Sequence, residues 1–280
     1  MKKWMQGAAA LGLLIATGTG AQAADKAAPK KKVYKAEPRE AVVMPPPAWT
    51  GSYAGVSAGL RWSDATWTTT SIVPPPVGTL PASQSFSSRA FRVGGYFGQN
   101  WQTAPTTIMG WEADFGWIDK MHSIGGIPGT YTGAGAAAAL ANDSSAVKQR
   151  WDASFRGRYG YLLTPSWLAY ATAGLAWQNV ETSASCAVAG GYCAVARTDS
   201  VRKTLSGWTV GGGLETMLGG GWMARAEYRY ADYRRMSQTA FAGTGDDVNY
   251  ELKLKTHTAL IGFAYPFGAG TLPGPVSAKY

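Results

Sequence analysis

Apolar and polar residues alternate with a period of two along eight segments of the chain. In the first segment Val56, Ala58 and Leu60 alternate with Ser57 and Gly59. The eight segments are 53–62, 91–100, 109–117, 150–159, 167–177, 208–215, 222–230 and 258–267. A period of two is typical of β-strands with one apolar and one polar face. The sequence therefore predicts an all-β fold.

The connections between these segments alternate in length. Residues 63–88, 119–147, 178–206 and 231–256 form long connections, whereas 102–107, 162–166 and 218–221 are short. A soluble β-sandwich would show the same alternation of faces, but long loops on one end and tight turns on the other are typical of outer-membrane barrels. The pattern predicts an eight-stranded antiparallel transmembrane β-barrel with long extracellular loops and short periplasmic turns.

Tryptophans mark both ends of the predicted strands. Trp167 and Trp177 share a face and are ten residues apart, about 33 Å along a strand. With a tilt of about 40° this spans roughly 25 Å, the height of the apolar band of such barrels. Trp49 also lies at the end with short turns. The predicted aromatic girdle consists of Trp62, Trp101, Trp117, Trp151, Trp167, Trp177, Trp208 and Trp222.

Charged residues occupy the opposite, inward face. The predicted lumen network is Arg61, Arg92, Glu112, Asp114, Arg150, Asp152, Arg156, Arg158, Glu215, Arg225, Glu227 and Arg229. Opposite charges in a confined interior should pair, because an isolated buried charge is costly. An eight-stranded barrel is just wide enough to be filled by side chains. We therefore expect an ion-paired plug; a narrow anion-preferring path is the alternative.

The first 48 residues differ in composition from the rest. Lys2 and Lys3, an apolar stretch at 8–17 and the small residues Ala21 and Ala23 predict a signal peptide over 1–23. Residues 24–48 are rich in Pro and Lys and predict an extended periplasmic linker, or a basic arm that contacts an acidic polymer or a membrane surface. Residues 1–47 carry 8 − 3 = +5 of the net charge of +9, so the basic balance is no sign of a nucleic-acid-binding face.

Signals for covalent and catalytic chemistry are few. An exported chain meets an oxidising compartment, so Cys186 and Cys193 are expected to form a disulfide. His122 and His257 are the only histidines, too few for a zinc triad. The sequence predicts no enzyme activity, no metal and no cofactor.

Several motifs resemble one protein family. They are the start Trp-Thr-Gly-Ser-Tyr-Ala-Gly at 49–55, and the segments 110–115, 151–161, 171–176, 207–215, 226–230 and 257–265. Together they resemble the small outer-membrane proteins of alphaproteobacteria, which are grouped as outer-membrane immunogenic proteins or porin-family β-barrels. The resemblance implies an outer-membrane location and a membrane-structural or surface role. Some members are described as porins and others as hemin binders, but no residue here carries either activity over.

The predicted barrel spans 49–267, and residues 268–280 follow it as a C-terminal extension. Pro266 cannot donate to a sheet, so the last strand is expected to end near Phe267. The expected partners are outer-membrane lipid, lipopolysaccharide and the barrel-assembly machinery, with the oligomeric state left open. Three functions remain: a structural barrel that supports the envelope and displays its surface, a small porin-like channel, and a receptor for hemin or a host component.

Overall fold

The described part of the chain consists mainly of long antiparallel strands. The computed structural model describes residues 49–73, 82–130, 142–187 and 192–267. The strands are β1 (Gly51–Ile72), β2 (Ser83–Ala104), β3 (Thr107–Gly125), β4 (Ser144–Thr164), β5 (Trp167–Cys186), β6 (Arg197–Met217), β7 (Met223–Tyr233), β8 (Met236–Ala240) and β9 (Val248–Phe267). The predicted signal peptide, the predicted linker and the predicted C-terminal extension lie outside the described residues.

The strands close into a ring. Each strand from β1 to β7 pairs with the next, β7 pairs with β9, and β9 pairs back with β1, for example Tyr265 with Ala54. The short strand β8 follows β7 after a break at Arg234 and Arg235 and also pairs with β9. The ring thus passes through eight strands, and the predicted eight-stranded antiparallel barrel is confirmed.

Tight turns join the strands at one end of the barrel. Pro105 and Thr106 join β2 to β3, and Pro165 and Ser166 join β4 to β5. A single 3-10 turn, Gly219–Gly221, joins β6 to β7. Gly220 and Gly221 have φ angles of 75° and 82°, a region that side chains disfavour, which explains the glycines there.

At the other end the predicted loops are largely strand. β1 continues to Ile72, β3 to Gly125 and β5 to Cys186, so most of the connections predicted over 63–88, 119–147 and 178–206 are hairpin extensions. The last connection is shortened in the same way, because β9 begins at Val248. The strands extend because the alternation of apolar and polar residues continues beyond the tryptophans. The apolar residues of these extensions form a second apolar core.

The ring divides into two sheets in this extended region. Among the described residues, β2 pairs with β3 only up to Val93 and Trp117, and β6 pairs with β7 only up to Gly207 and Tyr233. One further bond joins the Arg234 N–H to the Ser206 carbonyl at 2.8 Å. Beyond these points lie two four-stranded sheets, β8-β9-β1-β2 and β3-β4-β5-β6. We call this two-sheet region the projecting half, and the closed ring below it the barrel half.

The outer face of the barrel half is apolar and exposed. Val56, Phe91, Leu175 and Ile261 each expose more than half of their surface. A continuous apolar belt of this kind, bounded by tryptophans, is the lipid-facing surface of a membrane barrel.

No helix within the described residues is both long and apolar enough to cross a membrane.

Candidate functional site

Charged side chains fill the middle of the barrel half. The structure brings together eleven of the twelve residues of the predicted lumen network, six arginines and five carboxylates among the described residues, each with a side chain at most 6% exposed. They lie on β1 to β4, β6 and β7, because inward positions alternate along each strand. The layer carries a net charge of 6 − 5 = +1.

Two aspartates organise the upper part of this layer. Asp152 accepts hydrogen bonds from Arg61 at 2.9 Å and from Arg92 at 2.9 Å. Asp114 accepts from Arg92 at 2.5 Å, from Arg229 at 2.8 Å and from Ser154. Arg92 therefore bridges both aspartates and joins β2, β3 and β4 across the interior.

Three glutamates organise the lower part. Glu112 accepts from Arg156 at 2.5 Å and also from Arg225. Arg156 reaches Glu227 at 3.0 Å with its other terminal nitrogen. Glu215 accepts from Arg158 at 2.7 Å. Every one of the five carboxylates has at least one arginine partner, which offsets part of the cost of burying the charges.

Inward tyrosines belong to the same network, in addition to the charged residues predicted from the sequence. The Tyr53 hydroxyl donates to Glu112 at 2.9 Å and accepts from Arg158 at 2.9 Å. The Tyr170 hydroxyl donates to Glu227 at 2.8 Å. The Arg158 guanidinium lies 3.9 Å from the Tyr170 ring centre. Alternation alone could have found these tyrosines, since they share the inward face with the charged residues.

Inward glycines make room for these long side chains. A side chain at Gly116 would overlap the Arg92 guanidinium, and one at Gly98 would overlap the Tyr53 ring. The glycines therefore do not leave open space in the lumen, because the bulky polar groups of neighbouring strands occupy it.

The assignment of Arg150 to the lumen is wrong. A β-bulge between Gln149 and Asp152 shifts the register of β4 against β5. The bulge interrupts the period of two, so Arg150 is 39% exposed and pairs with Glu181 at 3.0 Å. A hydrogen bond from Arg202 and the charge of Arg150 hold the pKa of Glu181 below its usual range.

Apolar layers lie on both sides of the charged layer. On the side of the tight turns, Trp49, Tyr53, Tyr96, Ile108, Leu168 and Tyr170 belong to one buried cluster. Trp49 thus points inward, and its indole N–H donates to the Pro165 carbonyl at 3.0 Å. On the other side the two sheets of the projecting half enclose a larger apolar core, in which Trp67 stacks on Tyr250 with ring centres 3.7 Å apart.

The eight tryptophans of the predicted girdle lie on the outer face. Trp62, Trp101, Trp117, Trp167, Trp208 and Trp222 are exposed, and Trp151 and Trp177 are half-buried. Trp151 stacks on the outward Phe115 with ring centres 5.5 Å apart, which accounts for part of its burial.

The two cysteines lie at the tip of the projecting half. Cys186 and Cys193 form a disulfide with a Cα–Cα distance of 5.8 Å. The Asp143 carboxylate accepts from the backbone N–H of Ala187 at 2.9 Å and of Tyr192 at 2.8 Å. The β3–β4 connection thus holds the disulfide-closed loop.

The two histidines lie in different surroundings. His122 on β3 packs edge-on against Phe86 of β2, with ring centres 6.0 Å apart, across the gap between the two sheets. His257 lies on the outer face of β9, where its Nδ1 is 2.6 Å from the Tyr228 hydroxyl. Within the described residues no group of three or more His, Cys, Asp or Glu side chains could hold a metal ion.

Comparisons with known proteins agree with this architecture. The family model described as "Outer membrane protein beta-barrel domain" matches residues 41–267. The chain is 27% identical to the 31 kDa outer-membrane immunogenic protein of Brucella melitensis biotype 1 over 79% of this chain and 84% of that protein. It is 29% identical to the 22 kDa outer membrane protein of Rhizobium leguminosarum bv. viciae over 70% of both chains.

Among solved structures, the outer membrane protein OprG of Pseudomonas aeruginosa is similar at a TM-score of 0.48 and 12% identity, covering 80% of this chain and 99% of that chain. The match to the family model extends over most of the chain and includes every described strand. The chain therefore belongs to the outer membrane protein β-barrel domain family and is an integral protein of the Gram-negative outer membrane.

Proposed function

We propose that this protein is a closed barrel with a structural role, which supports the envelope and displays its projecting half at the cell surface. The observation that carries the proposal is the filled interior. From the tight turns to the tip, an apolar cluster, an ion-paired layer and a second apolar core follow one another.

A channel would need a continuous polar path through these layers. A cavity in the interior, between Arg61, Asp152, Arg229 and Tyr233, has a volume of about 10 Å³. That is close to the smallest space that can hold one water molecule. The buried Leu168 and Ile108 on one side and Leu252 and Leu254 on the other favour a closed barrel over a porin.

The projecting half supports the part of the proposal that concerns display. Its two sheets share a core of their own, and polar contacts join them, such as Thr182 to Tyr250 at 2.6 Å between the hydroxyls. A packed unit of this kind can hold surface segments above the membrane, where the long connections of outer-membrane barrels lie.

Conductance across a planar bilayer tests the closed barrel. The refolded full chain, checked for folding by its heat-modifiable mobility, should insert without producing stable current steps. A general-diffusion porin in the same bilayer serves as the positive control. Reproducible ion-sized openings from the folded protein would overturn the proposal and favour the porin-like alternative.

The envelope role needs a second measurement in cells. Cells that lack the gene should take up a hydrophobic dye faster than the parent, and expression of the full chain should restore the barrier. Equal uptake in both strains would contradict a contribution to envelope integrity.

A further inference from the structure

Four strand edges in the projecting half have no hydrogen-bonded strand neighbour among the described residues. Beyond Val93 and Trp117, β2 and β3 separate, and beyond Gly207 and Tyr233, β6 separates from β7 and β8. The open edges are therefore those of β2 and β3 on one side of the two sheets, and those of β6 and β8 on the other. An open edge presents backbone N–H and C=O groups that can pair with a strand of another chain.

The two edges of one sheet are complementary to each other. In the sheet β3-β4-β5-β6 each neighbouring pair is antiparallel, so its edge strands β3 and β6 also run antiparallel. Copies of the protein in one membrane all have the same orientation, so β6 of one copy and β3 of the next can continue the sheet as an antiparallel pair. Because the two edges differ, a contact of this kind does not close, and it can add copies without limit.

A lysine occupies the inward face of the β6 edge. Lys203 is paired with Val180 of β5, which is fully buried in the core of the projecting half, so both residues lie on the same face of the sheet. The adjacent residues on that face of β6 are Val201 and Leu205, and Leu205 belongs to the same core. Lys203 itself is exposed. A charged side chain thus interrupts an apolar face at the open edge.

The β3 edge carries a lysine in an equivalent position. Lys120 is paired with Gln149 of β4, whose buried side chain accepts a hydrogen bond from Ser63 at 2.9 Å in the interior. Two residues before Lys120, Ile118 is buried, and two residues after it, His122 packs across the gap between the sheets. Lys120 is exposed between them. Both open edges of this sheet therefore place an ammonium group on the inward face.

The edges of the other sheet are limited by length and direction. β8 has only five residues, Met236–Ala240. β2 runs in the same direction as β6, so its antiparallel partner in a second copy is β3 or β8. β3 carries Lys120, and β8 is short. Each antiparallel combination of open edges thus includes an inward lysine or a short strand, and natural proteins use both features to keep edges from pairing.

We propose that Lys120 and Lys203 keep the projecting halves of neighbouring copies apart, because they prevent β6 of one copy from pairing with β3 of the next. In the joined sheet both ammonium groups lie on the inward, apolar face at a covered edge, where they lose contact with water. The two lysines thus oppose a contact that the backbone of the sheet favours. This role belongs to the projecting half and does not depend on whether the barrel is closed.

Self-association of the refolded full chain tests this role, measured by energy transfer between fluorescently labelled copies in lipid vesicles. Lys120→Val combined with Lys203→Val should strengthen self-association about tenfold relative to the wild type, because no charge is then buried at the joined edge. Amide exchange should show new protection at residues 118–121 and 200–205 of the associated variant. Lys120→Thr combined with Lys203→Thr removes the same charges with a more polar side chain and should change self-association in the same direction.

Two control variants separate the edges from general effects of surface charge. Lys255→Val removes an exposed lysine from β9, which is paired on both sides at that position, and should associate as the wild type does. Lys120→Glu combined with Lys203→Glu keeps an inward charge on each edge and should also behave as the wild type. Wild-type association of the valine and threonine variants would overturn the proposal. Association of Lys255→Val or of the glutamate variant as strong as that of the valine variant would overturn it too.

Discussion

The two halves of the molecule use the same strands with opposite polarity. Along β9, the outward residues Ile261 and Phe263 of the barrel half are apolar, whereas the outward Glu251 and Lys253 of the projecting half are charged. The inward face changes in the opposite sense, from the polar Thr258 in the barrel half to the apolar Leu252 and Leu254 in the projecting half. Because the alternation keeps its phase, the surrounding medium changes at about His257, from lipid to water.

This inversion explains why the two interiors differ. In the barrel half lipid covers the apolar face, so the polar face turns inward. Its charged side chains must then form ion pairs with each other. In the projecting half water solvates the polar face, so the apolar face turns inward and forms an ordinary core. A single sequence pattern therefore produces two kinds of interior, one electrostatic and one hydrophobic.

The largest effect is expected from breaking the electrostatic interior. Arg156→Ala would leave Glu112 and Glu227 without one of their arginines and should lower the free energy of unfolding by about 3–5 kcal/mol. Arg150→Ala is the matched control, because its exposed ion pair with Glu181 contributes only about 0–1 kcal/mol. Urea titrations in lipid vesicles measure both; equal losses would show that the interior is not organised by its ion pairs.

The hydrophobic interior gives the second contrast. Leu252→Ala opens a cavity in the core of the projecting half and should destabilise the protein by about 2–5 kcal/mol. Ile261→Ala shortens an exposed side chain on the same strand in the barrel half, where lipid can fill the space, and should lose less. Proteolysis should show the Leu252→Ala effect first in the projecting half, and similar losses for both variants would argue against a separate core there.

The sequence predicts the barrel half well and the projecting half poorly. Alternation and tryptophan spacing predict all eight strands of the ring, since outward Val56, Ala58 and Leu60 repeat a pattern typical of membrane strands. The same alternation continues in Tyr250, Leu252 and Leu254, inside the connection predicted over 231–256, but there the apolar residues face inward. Outward apolar residues mark a strand only where lipid surrounds it. The strand itself continues beyond that point, into the region that water surrounds.

Two other features of the interior could not be predicted from the period alone. The bulge at Gln149 and Asp152 turns Arg150 outward, and no residue in this stretch marks the extra position. The partners of each arginine depend on the register across the ring, for example Arg229 of β7 with Asp114 of β3. Alternation predicts which residues face inward, but only the closed ring determines which of them meet.

Arginine substitutions on the outer face of β1 test where the boundary between lipid and water lies. Val56→Arg places a charge in the apolar belt and should cost about 2–4 kcal/mol. Thr66→Arg, outward on the same strand in the projecting half, should change stability by less than about 0.5 kcal/mol, because the charge is in water. Refolding titrations in vesicles compare the two; equal tolerance would place the boundary elsewhere.

Removal of the disulfide is expected to have the smallest and most local effect on stability. Cys186→Ser with Cys193→Ser removes a short closure at the tip, so the loss should be about 2 kcal/mol, at the lower end of the range for disulfides. Asp143 still holds the backbone of Ala187 and Tyr192, which should keep the loop near its place. We therefore expect amide exchange to rise in residues 192–196 and to stay unchanged in the barrel half. A rise that reached the strands around Arg156 would mean that the two interiors are coupled, contrary to the division at His257.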